Sequence, residues 1–478
     1  MLGSQVFLPL LSSLSQSTHH HSAPKRLSVI QGLVLIFLAT ILLGMGLLAI
    51  PQAHRISHVS LVDCLFTATS ALTLTGLVTV STAETWSRFG QVIILLLMQL
   101  GGLLYLTAAV FLAIRLGVSL RLSEKLHLVE MHGRLGLRNL MTIFRYVALV
   151  VFSVEIIGAI VLMVIQHRGA AGWGYAAFSG IFYAVSAFCN AGFNLEPQFW
   201  GLAYPSTSSN VPLLAALAVL AFLGGLGITV IAEIGVFLHT KRISLHAKLV
   251  LVLTILLVVL GTFVILLFEG RNPSTIASMS GPTDRILSAT FLSVSARSAG
   301  FSPVDLTTIT PPTLLILGLL MLIGGAPAGT ASGVKVSTIG VIFLAILASL
   351  RRRVDIEIFR RRISGDTVRL ALSLVSIYMF SILLITIGVC VTEITAHGVP
   401  PTAATMNRFV YLVFEVLSAF TNVGFQTGIT PTLKLPSHIL IMLAMLIGRL
   451  GPLAFVYIFS QAKRPSLRRL PTESVLAG

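Results

Sequence analysis

The sequence predicts an all-α polytopic membrane protein made of four successive helix–loop–helix repeats in a pseudo-fourfold arrangement about one axis. Three observations predict it. Of 478 residues, 55% are hydrophobic and only 10% charged, with a mean hydropathy of +0.96; a soluble chain carries about a quarter charged residues. Several apolar runs reach the ~18–20 residues that cross a bilayer as a helix. Between those runs, four short glycine-bearing stretches recur in order, the mark of an internal repeat.

From the N terminus, residues 1–27 read as a polar, serine-rich cytoplasmic tail. It lacks the charged start, apolar core and small-residue cleavage site of a signal peptide. His19, His20 and His21 stand together in it, a pattern more often solvated than metal-bound. Eight apolar spans follow, at about 28–50, 90–114, 145–166, 212–238, 248–268, 312–350, 370–392 and 437–460. The first is the plainest, with Gln31 its one strongly polar side chain, and the sixth is too long for a simple crossing. Paired, the spans delimit repeats at 28–116, 142–240, 246–350 and 366–462, with a tail at 463–478. Three scattered cysteines, Cys64, Cys189 and Cys390, imply no disulfide framework.

The formal charge of +16 is distributed by topology: 22 of the 32 Lys and Arg fall on the two tails and on residues 115–145, 239–248 and 351–369. The positive-inside rule places those segments and both termini in the cytoplasm. Nucleic-acid binding would need a soluble basic domain, and the chain has none.

Each outer loop begins with an apolar stretch too short to cross, at about 59–73, 174–189, 284–297 and 405–421. These suit re-entrant segments. They run into SALTLTGL (Ser70–Leu77), SAFCNAGF (Ser186–Phe193), VSARSAGF (Val294–Phe301) and SAFTNVGF (Ser418–Phe425). Gly76, Gly192, Gly300 and Gly424 are spaced by 116, 108 and 124 residues. A second register, Gly101-Gly102, Gly224-Gly225, Gly324-Gly325 and Gly448-Arg449, follows 25, 32, 24 and 24 residues later.

Irregular backbone at membrane depth survives only where protein or a water-filled cavity satisfies its polar groups. Four such loops about one axis satisfy each other by enclosing a central pore. Glycine reaches positive φ without a Cβ penalty, so successive carbonyls can turn to one line and replace a cation's water shell. Each short helix would aim the negative end of its dipole there. On this reading Gly192 ends a half-helix so that the Asn190 and Ala191 carbonyls face an ion.

In combination, LTGL (74–77), NAGF (190–193), RSAGF (297–301), NVGF (422–425), GGLGI (224–228) and GRLGP (448–452) resemble the Trk/Ktr/HKT superfamily of potassium transporters, whose single chain holds four membrane helix–pore loop–membrane helix units around one central pore. The resemblance covers nearly the whole chain after residue 27, and eight spans without an extra N-terminal hairpin are most similar to the Ktr-type membrane subunit, KtrB. It implies a filter at Leu74, Thr75 and Gly76; Asn190, Ala191 and Gly192; Ser298, Ala299 and Gly300; and Asn422, Val423 and Gly424. Leu74 stands where similar members often have valine, a swap that a carbonyl lining tolerates.

GGAPAGTASGVK, Gly324 to Lys335, holds four glycines and Pro327, so it is no continuous helix. The resemblance implies an intramembrane gate loop here, formed by Gly324, Gly325, Ala326, Pro327, Ala328, Gly329, Thr330, Ala331, Ser332, Gly333 and Lys335, with Arg449 acting on it. Arg449 stands where the other repeats have glycine; it is expected to bond gate-loop carbonyls or to pair with an acid. Lys335 either serves the loop or snorkels to the cytoplasmic surface. Glu233 is a candidate partner for Arg449, Lys335 or Lys241, Glu155 packs within span three, and Arg297 is expected to hold the third loop.

The resemblance further implies K⁺ as the transported ion, with Na⁺ coupling left open and no organic cofactor, a multi-pass location in the bacterial plasma membrane, and a homodimer. A cytoplasmic nucleotide-binding ring of the KtrA or TrkA kind would press on the gate, since the chain has neither GxGxxG nor a P-loop lysine. The Arg351–Arg353 and Arg360–Arg362 clusters suit either that ring or anionic lipid. The alternative is a secondary transporter of a small organic solute, which usually shows two inverted repeats rather than four of like orientation. The protein is not expected to be an enzyme: the spans hold no HExxH, no GxSxG and no paired aspartates.

Overall fold

A computed structural model of the chain describes residues 29–56, 58–115, 137–168, 172–195, 211–241, 243–279, 281–353, 355–359, 361–397 and 403–451. The N-terminal tail with His19, His20 and His21, the basic stretch 116–136, Arg360, and the end of the eighth span with the C-terminal tail lie outside these residues.

In repeat one, helix α1 (Val29–Leu48) is followed by half-helix α2 (Leu61–Thr73) and the long α3 (Arg88–Arg115). Helix α2 starts where the Ser60 hydroxyl accepts from the Asp63 backbone NH, with Asp63 in the first turn where the dipole favours a carboxylate. Repeat two has α4 (Leu137–Arg168), half-helix α5 (Trp173–Phe188), α6 (Val211–Leu226) and α7 (Ile228–Thr240). Repeat three has α8 (Leu245–Glu269), half-helix α9 (Pro282–Ser295), α10 (Pro311–Leu322) and α11 (Val336–Leu350). Pro282 and Pro311 each open their helix, where a missing backbone NH costs nothing. A short antiparallel hairpin, β1 (Ile356–Ile358) with β2 (Arg361–Ile363), precedes repeat four: α12 (Gly365–His397), half-helix α13 (Ala403–Thr421) and α14 (Leu435–Leu450).

Among the described residues four helices are long and apolar enough to cross a membrane alone: Arg88–Val110, Thr142–Arg168, Leu245–Glu269 and Gly365–Glu393. The sixth span is broken at the glycine-rich loop, as its composition predicts. The fourth span departs from expectation: it bends by 99° between Leu226 and Ile228. Gly227 at the break has φ +83°, and a Cβ there would lie 2.6 Å from the Pro327 carbonyl oxygen. The loop of span six thus occupies the break in span four.

The four repeats close into a ring. In every repeat the half-helix packs on the span before it, and the second span packs on the half-helix of the next repeat: α3 on α5, α6 on α9, α10 on α13, and α14 back on α2. That last contact, between chain end and chain start, makes the arrangement cyclic. Large apolar side chains on the first spans, such as Leu43, Ile157, Phe263 and Phe380, are more than half exposed, as a lipid-facing rim requires.

Repeats three and four each carry the same clasp, between the end of the first span and the start of the second. Glu269 accepts from the backbone NH and hydroxyl of Thr310, at the start of α10. Glu393 accepts from the Lys434 NH and the Ser437 hydroxyl at the start of α14. Each acid stands 31 residues before its loop glycine. A carboxylate there satisfies helix-start donors and complements the dipole.

Candidate functional site

Three of the four half-helices end in one local motif. Leu74, Asn190 and Asn422 adopt left-handed φ of 58°, 55° and 51°. The NH of each donates back three residues, and the following NH, of Thr75, Ala191 and Val423, donates back five, to Ser70, Ser186 and Ser418 at 2.9, 2.7 and 3.0 Å. This is the Schellman closure, which satisfies two orphan carbonyls of the helix end. Asparagine tolerates the left-handed region; leucine at 74 does so at a cost of about 1–2 kcal/mol. The third loop differs. Ser298 is not left-handed, and the Ala299 NH donates back only four residues, to Ser295 at 2.8 Å.

In loops one, two and four the half-helix is therefore closed by the first residue of the implied filter triplet, not by the glycine as the sequence suggested for Gly192. Close approach explains the glycines better. Gly76, Gly192, Gly300 and Gly424 have φ between +70° and +89°. A Cβ on Gly76 would lie 2.4 Å from the Ala191 carbonyl oxygen, and one on Gly192 would lie 2.9 Å from that of Ala299. A Cβ on Gly300 would lie 2.1 Å from the Val423 oxygen, and one on Gly424 would lie 2.0 Å from the Thr75 oxygen. Each glycine thus receives the carbonyl of the next loop, in the same cyclic order as the helices. The triplets Leu74–Gly76, Asn190–Gly192, Ser298–Gly300 and Asn422–Gly424 are brought together about one axis.

On one side of this ring lies a cavity of about 190 Å³, lined by all four glycines, Val78, Phe193, Phe301, Gln426 and Asp305 among others. Among the described residues Asp305 is the one carboxylate in that lining. The loops beyond the glycines are pinned from behind. The Ser186 hydroxyl donates to the Phe193 carbonyl and the Ser295 hydroxyl to that of Phe301. Thr79 donates to Asp63 at 2.6 Å, and fully buried Glu415 accepts from the NH groups of Thr427 and Ile429 and the hydroxyls of Thr427 and Thr430. Replacing Glu415 with leucine strands four buried donors, each costing about 1–3 kcal/mol. The expected outcome is a loss of folded yield and a melting temperature in detergent lowered by several degrees, with Glu415→Gln intermediate. An unchanged melting curve for the leucine variant counts against the role of this acid.

The loop from Gly324 to Lys335 meets the ring from the half-helix side, away from the cavity: Thr330 bonds Asn190 and the Phe188 carbonyl, both of which precede the loop glycine Gly192. It is stitched into the broken fourth span: the Ala326 NH donates to Gly225 O at 2.9 Å, the Thr330 NH to Gly224 O at 3.0 Å, and the Ile228 NH to Ala328 O at 3.0 Å. Its own ends pair, with Gly324 N to Val334 O and Val336 N to Gly325 O. Gly324 is packed tightly enough that a Cβ would meet Ser332 O, and Gly333 turns at φ +78°. Pro327, Ala328 and Gly329 form the tip against Gly227, and Ala331 packs on Gly325.

Arg449, fully buried, reaches across from α14. Its Nη1 donates to Thr330 O at 2.6 Å and to Ser332 Oγ at 3.1 Å, and its guanidinium lies 4.0 Å from the Tyr105 ring centroid. Among the described residues no carboxylate pairs with it; carbonyl, hydroxyl and aromatic face share the charge. Lys335 turns back onto the loop, with Nζ donating to Ala331 O at 2.7 Å. Arg297, immediately before the third filter triplet, donates to Gly324 O at 3.0 Å and so ties the third loop to this one. The ion pair considered for Glu233 does not form among the described residues; Glu233 accepts from the NH and hydroxyl of Ser244 at the start of α8. Glu155 accepts from Gln99 at 3.0 Å and from the Cys189 thiol. Tyr105 and Gly227 escaped the sequence reading, although GGLGI contains the second.

Four re-entrant half-helices closing on one axis, with a cavity on one face and a pinned loop on the other, define a membrane transport protein of the pore-loop class. A family model described as TrkH, cation transport protein, matches residues 5–467. The chain belongs to that family. It is 34% identical over 453 residues to Ktr system potassium uptake protein B of Vibrio alginolyticus, covering 93% of this chain and 94% of that one. Similarity extends to the potassium/sodium uptake protein NtpJ of Enterococcus hirae, at 34% identity over 463 residues, 95% of this chain and 98% of the relative. The protein B of Bacillus subtilis is 33% identical over 448 residues, 94% and 96% of the two chains. The crystal structure of the potassium transporter TrkH from Vibrio parahaemolyticus superposes with a TM-score of 0.70 at 17% identity, over 91% of this chain and 86% of that one, which shows a shared fold. The protein is thus a multi-pass membrane cation transporter and not an enzyme.

Proposed function

We propose that the protein takes up potassium across the plasma membrane as the membrane subunit of a Ktr-type system. The observation that carries this reading is the cyclic approach of the Thr75, Ala191, Ala299 and Val423 carbonyl oxygens to the four loop glycines. Oxygens so placed substitute for the water around a dehydrated monovalent cation. The four half-helix C-termini add negative potential at the same point, and Asp305 adds a carboxylate to the cavity through which ions arrive. The positive-inside rule, applied to the basic segments of the sequence, supports a reading in which the cavity opens outward and both termini lie in the cytoplasm.

Passage is controlled on the cytoplasmic side by the loop of span six. In the form described here Arg449 ties that loop through Thr330 and Ser332, and the break in span four receives it. The relatives named as parts of a Ktr system support a regulatory ring of the KtrA or TrkA kind that draws the loop aside, acting on a homodimer in which each subunit has its own pore. One glycine per loop makes a short stack of carbonyls, so discrimination against Na⁺ is modest. The relative named for both potassium and sodium agrees with that.

The test is Rb⁺ uptake into proteoliposomes carrying the purified protein, with K⁺, Na⁺ and small organic solutes as competitors. Competition by K⁺ at several-fold lower concentration than Na⁺, with no effect of the organic solutes, is the expected result. Rb⁺ flux that ignores K⁺, or uptake of an organic solute instead, sinks the reading.

A further inference from the structure

The gate loop does not touch the four filter loops equally. Thr330, at its centre, wedges its hydroxyl between two groups of the second loop: it accepts from Asn190 Nδ2 at 2.7 Å and donates to the Phe188 carbonyl at 2.9 Å. Its carbonyl is the oxygen that Arg449 grips. The third loop is also tied to the gate, through Arg297 and Gly324 O. The first and fourth loops are tied to each other instead. Asn422, the counterpart of Asn190, donates to Thr75 Oγ1 at 2.7 Å and to Met445 O at 3.0 Å, and Thr75 Oγ1 also bonds Thr73 at 2.8 Å.

From this asymmetry we propose that Thr330 is a specificity-determining residue: through Asn190 it couples the position of the gate loop to the conformation of the second loop of the ion filter. The inference rests on the filter and gate assigned above and deepens them. Phe188 and Asn190 flank the helix end from which the Ala191 carbonyl is presented, and all three positions are buried. A gate loop that withdraws takes the Thr330 hydroxyl with it. Asn190 Nδ2 and the Phe188 carbonyl then lose a partner in a place where an unpaired polar group is expensive. Loop two must readjust, and loop three loses its anchor at Gly324, while loops one and four keep theirs. Binding at one site that alters a second is reciprocal. An ion that fits the filter tightly therefore biases the gate, and the gate state biases which ion fits.

The test compares Rb⁺ and Na⁺ flux in proteoliposomes for the wild type, Thr330→Val, Thr330→Ser and Asn190→Gly. Valine keeps the shape and loses both bonds; serine keeps the hydroxyl. Glycine at 190 suits the left-handed φ of +55° and removes only the amide. Thr330→Val and Asn190→Gly are each expected to lower the Rb⁺/Na⁺ flux ratio about five- to tenfold, and Thr330→Ser is expected to restore it. The double variant is expected to be no worse than Thr330→Val alone, because the contact that Asn190→Gly removes is one of the two that valine at 330 already lacks. If Thr330→Val raises the two fluxes in proportion and leaves the ratio alone, Thr330 is a latch without a link to the filter and the proposal falls. A drop in the double variant equal to the product of the single drops overturns it as well. Should Thr330→Val not reconstitute, Asn190→Gly against wild type decides: an unchanged ratio overturns the coupling. Gly192→Ser is the control for the filter itself. If that variant also keeps the wild-type ratio, the filter assignment has failed, a result distinct from failure of the coupling alone.

Discussion

Alanine at Gly300 or Gly424 is expected to reduce Rb⁺ uptake about a hundredfold and to erase its preference over Na⁺, whereas alanine at Gly192 costs about tenfold. Two costs add. Positive φ with a Cβ is strained by about 1–3 kcal/mol at every one of these positions. Contact then separates them. The new methyl at Gly424 or Gly300 would sit 2.0 or 2.1 Å from a backbone carbonyl oxygen, against 2.9 Å at Gly192. The oxygen it strikes belongs to Thr75 or Val423, whose loops are held by the Asn422 amide and the buried Ser418 hydroxyl. It cannot retreat without moving the ring, and every 1.4 kcal/mol is a factor of ten. Initial rates of Rb⁺ uptake at matched reconstitution check the order. Equal losses at the three positions, or the largest loss at Gly192, would contradict the cyclic contact.

Arg449→Met is expected to raise Rb⁺ flux in the absence of any cytoplasmic regulator by one to two orders of magnitude. Methionine keeps an apolar side chain against Tyr105 but loses both bonds to Thr330 and Ser332. Charge-assisted hydrogen bonds contribute about 1.5–3 kcal/mol each. Losing two from the closed form alone shifts a two-state gate toward opening by roughly that amount or somewhat more. Deleting residues 326–332 removes the obstruction outright, so its flux sets the ceiling. Arg449→Met is expected to approach that ceiling and Arg449→Lys to stay near the wild type, since an ammonium can still reach one oxygen. Low flux in both the methionine and deletion variants would show that the loop does not close the path.

Much of this organisation is legible in the chain. Four glycines at near-regular spacing, each followed by small residues in the next span, announce the repeat because a tight ring admits nothing larger. The second register has a clear cause: a Cβ on Gly101, Gly224 or Gly448 would fall within 2.0 Å of the carbonyl of Leu72, Phe188 or Phe420, each four residues before a filter glycine. Other features resist such reading. The break in span four carries no proline, and Gly227 is one glycine among three in GGLGI. What bends it is the loop of a different repeat arriving at Gly224 and Gly225. Glu415 and Glu393 look alike in sequence, yet one pins the loop beyond the fourth filter and the other clasps two spans. Arg449 had two candidate kinds of partner, and only the position of Thr330, 119 residues away, selects between them.

Composition, apolar run length and the repeated glycines by themselves determined a membrane-embedded chain of four like units, because the bilayer fixes span length and close backbone approach demands residues without side chains. Tertiary structure alone decided the sense of the ring, the insertion of one span's loop into another's break, and the unequal bonding of the gate to loops two and three. Those depend on contacts between residues more than a hundred positions apart, such as Asn190 with Thr330 and Asn422 with Thr75. No local pattern encodes them, since the same asparagine, in the same motif, finds a different partner in each half of the molecule.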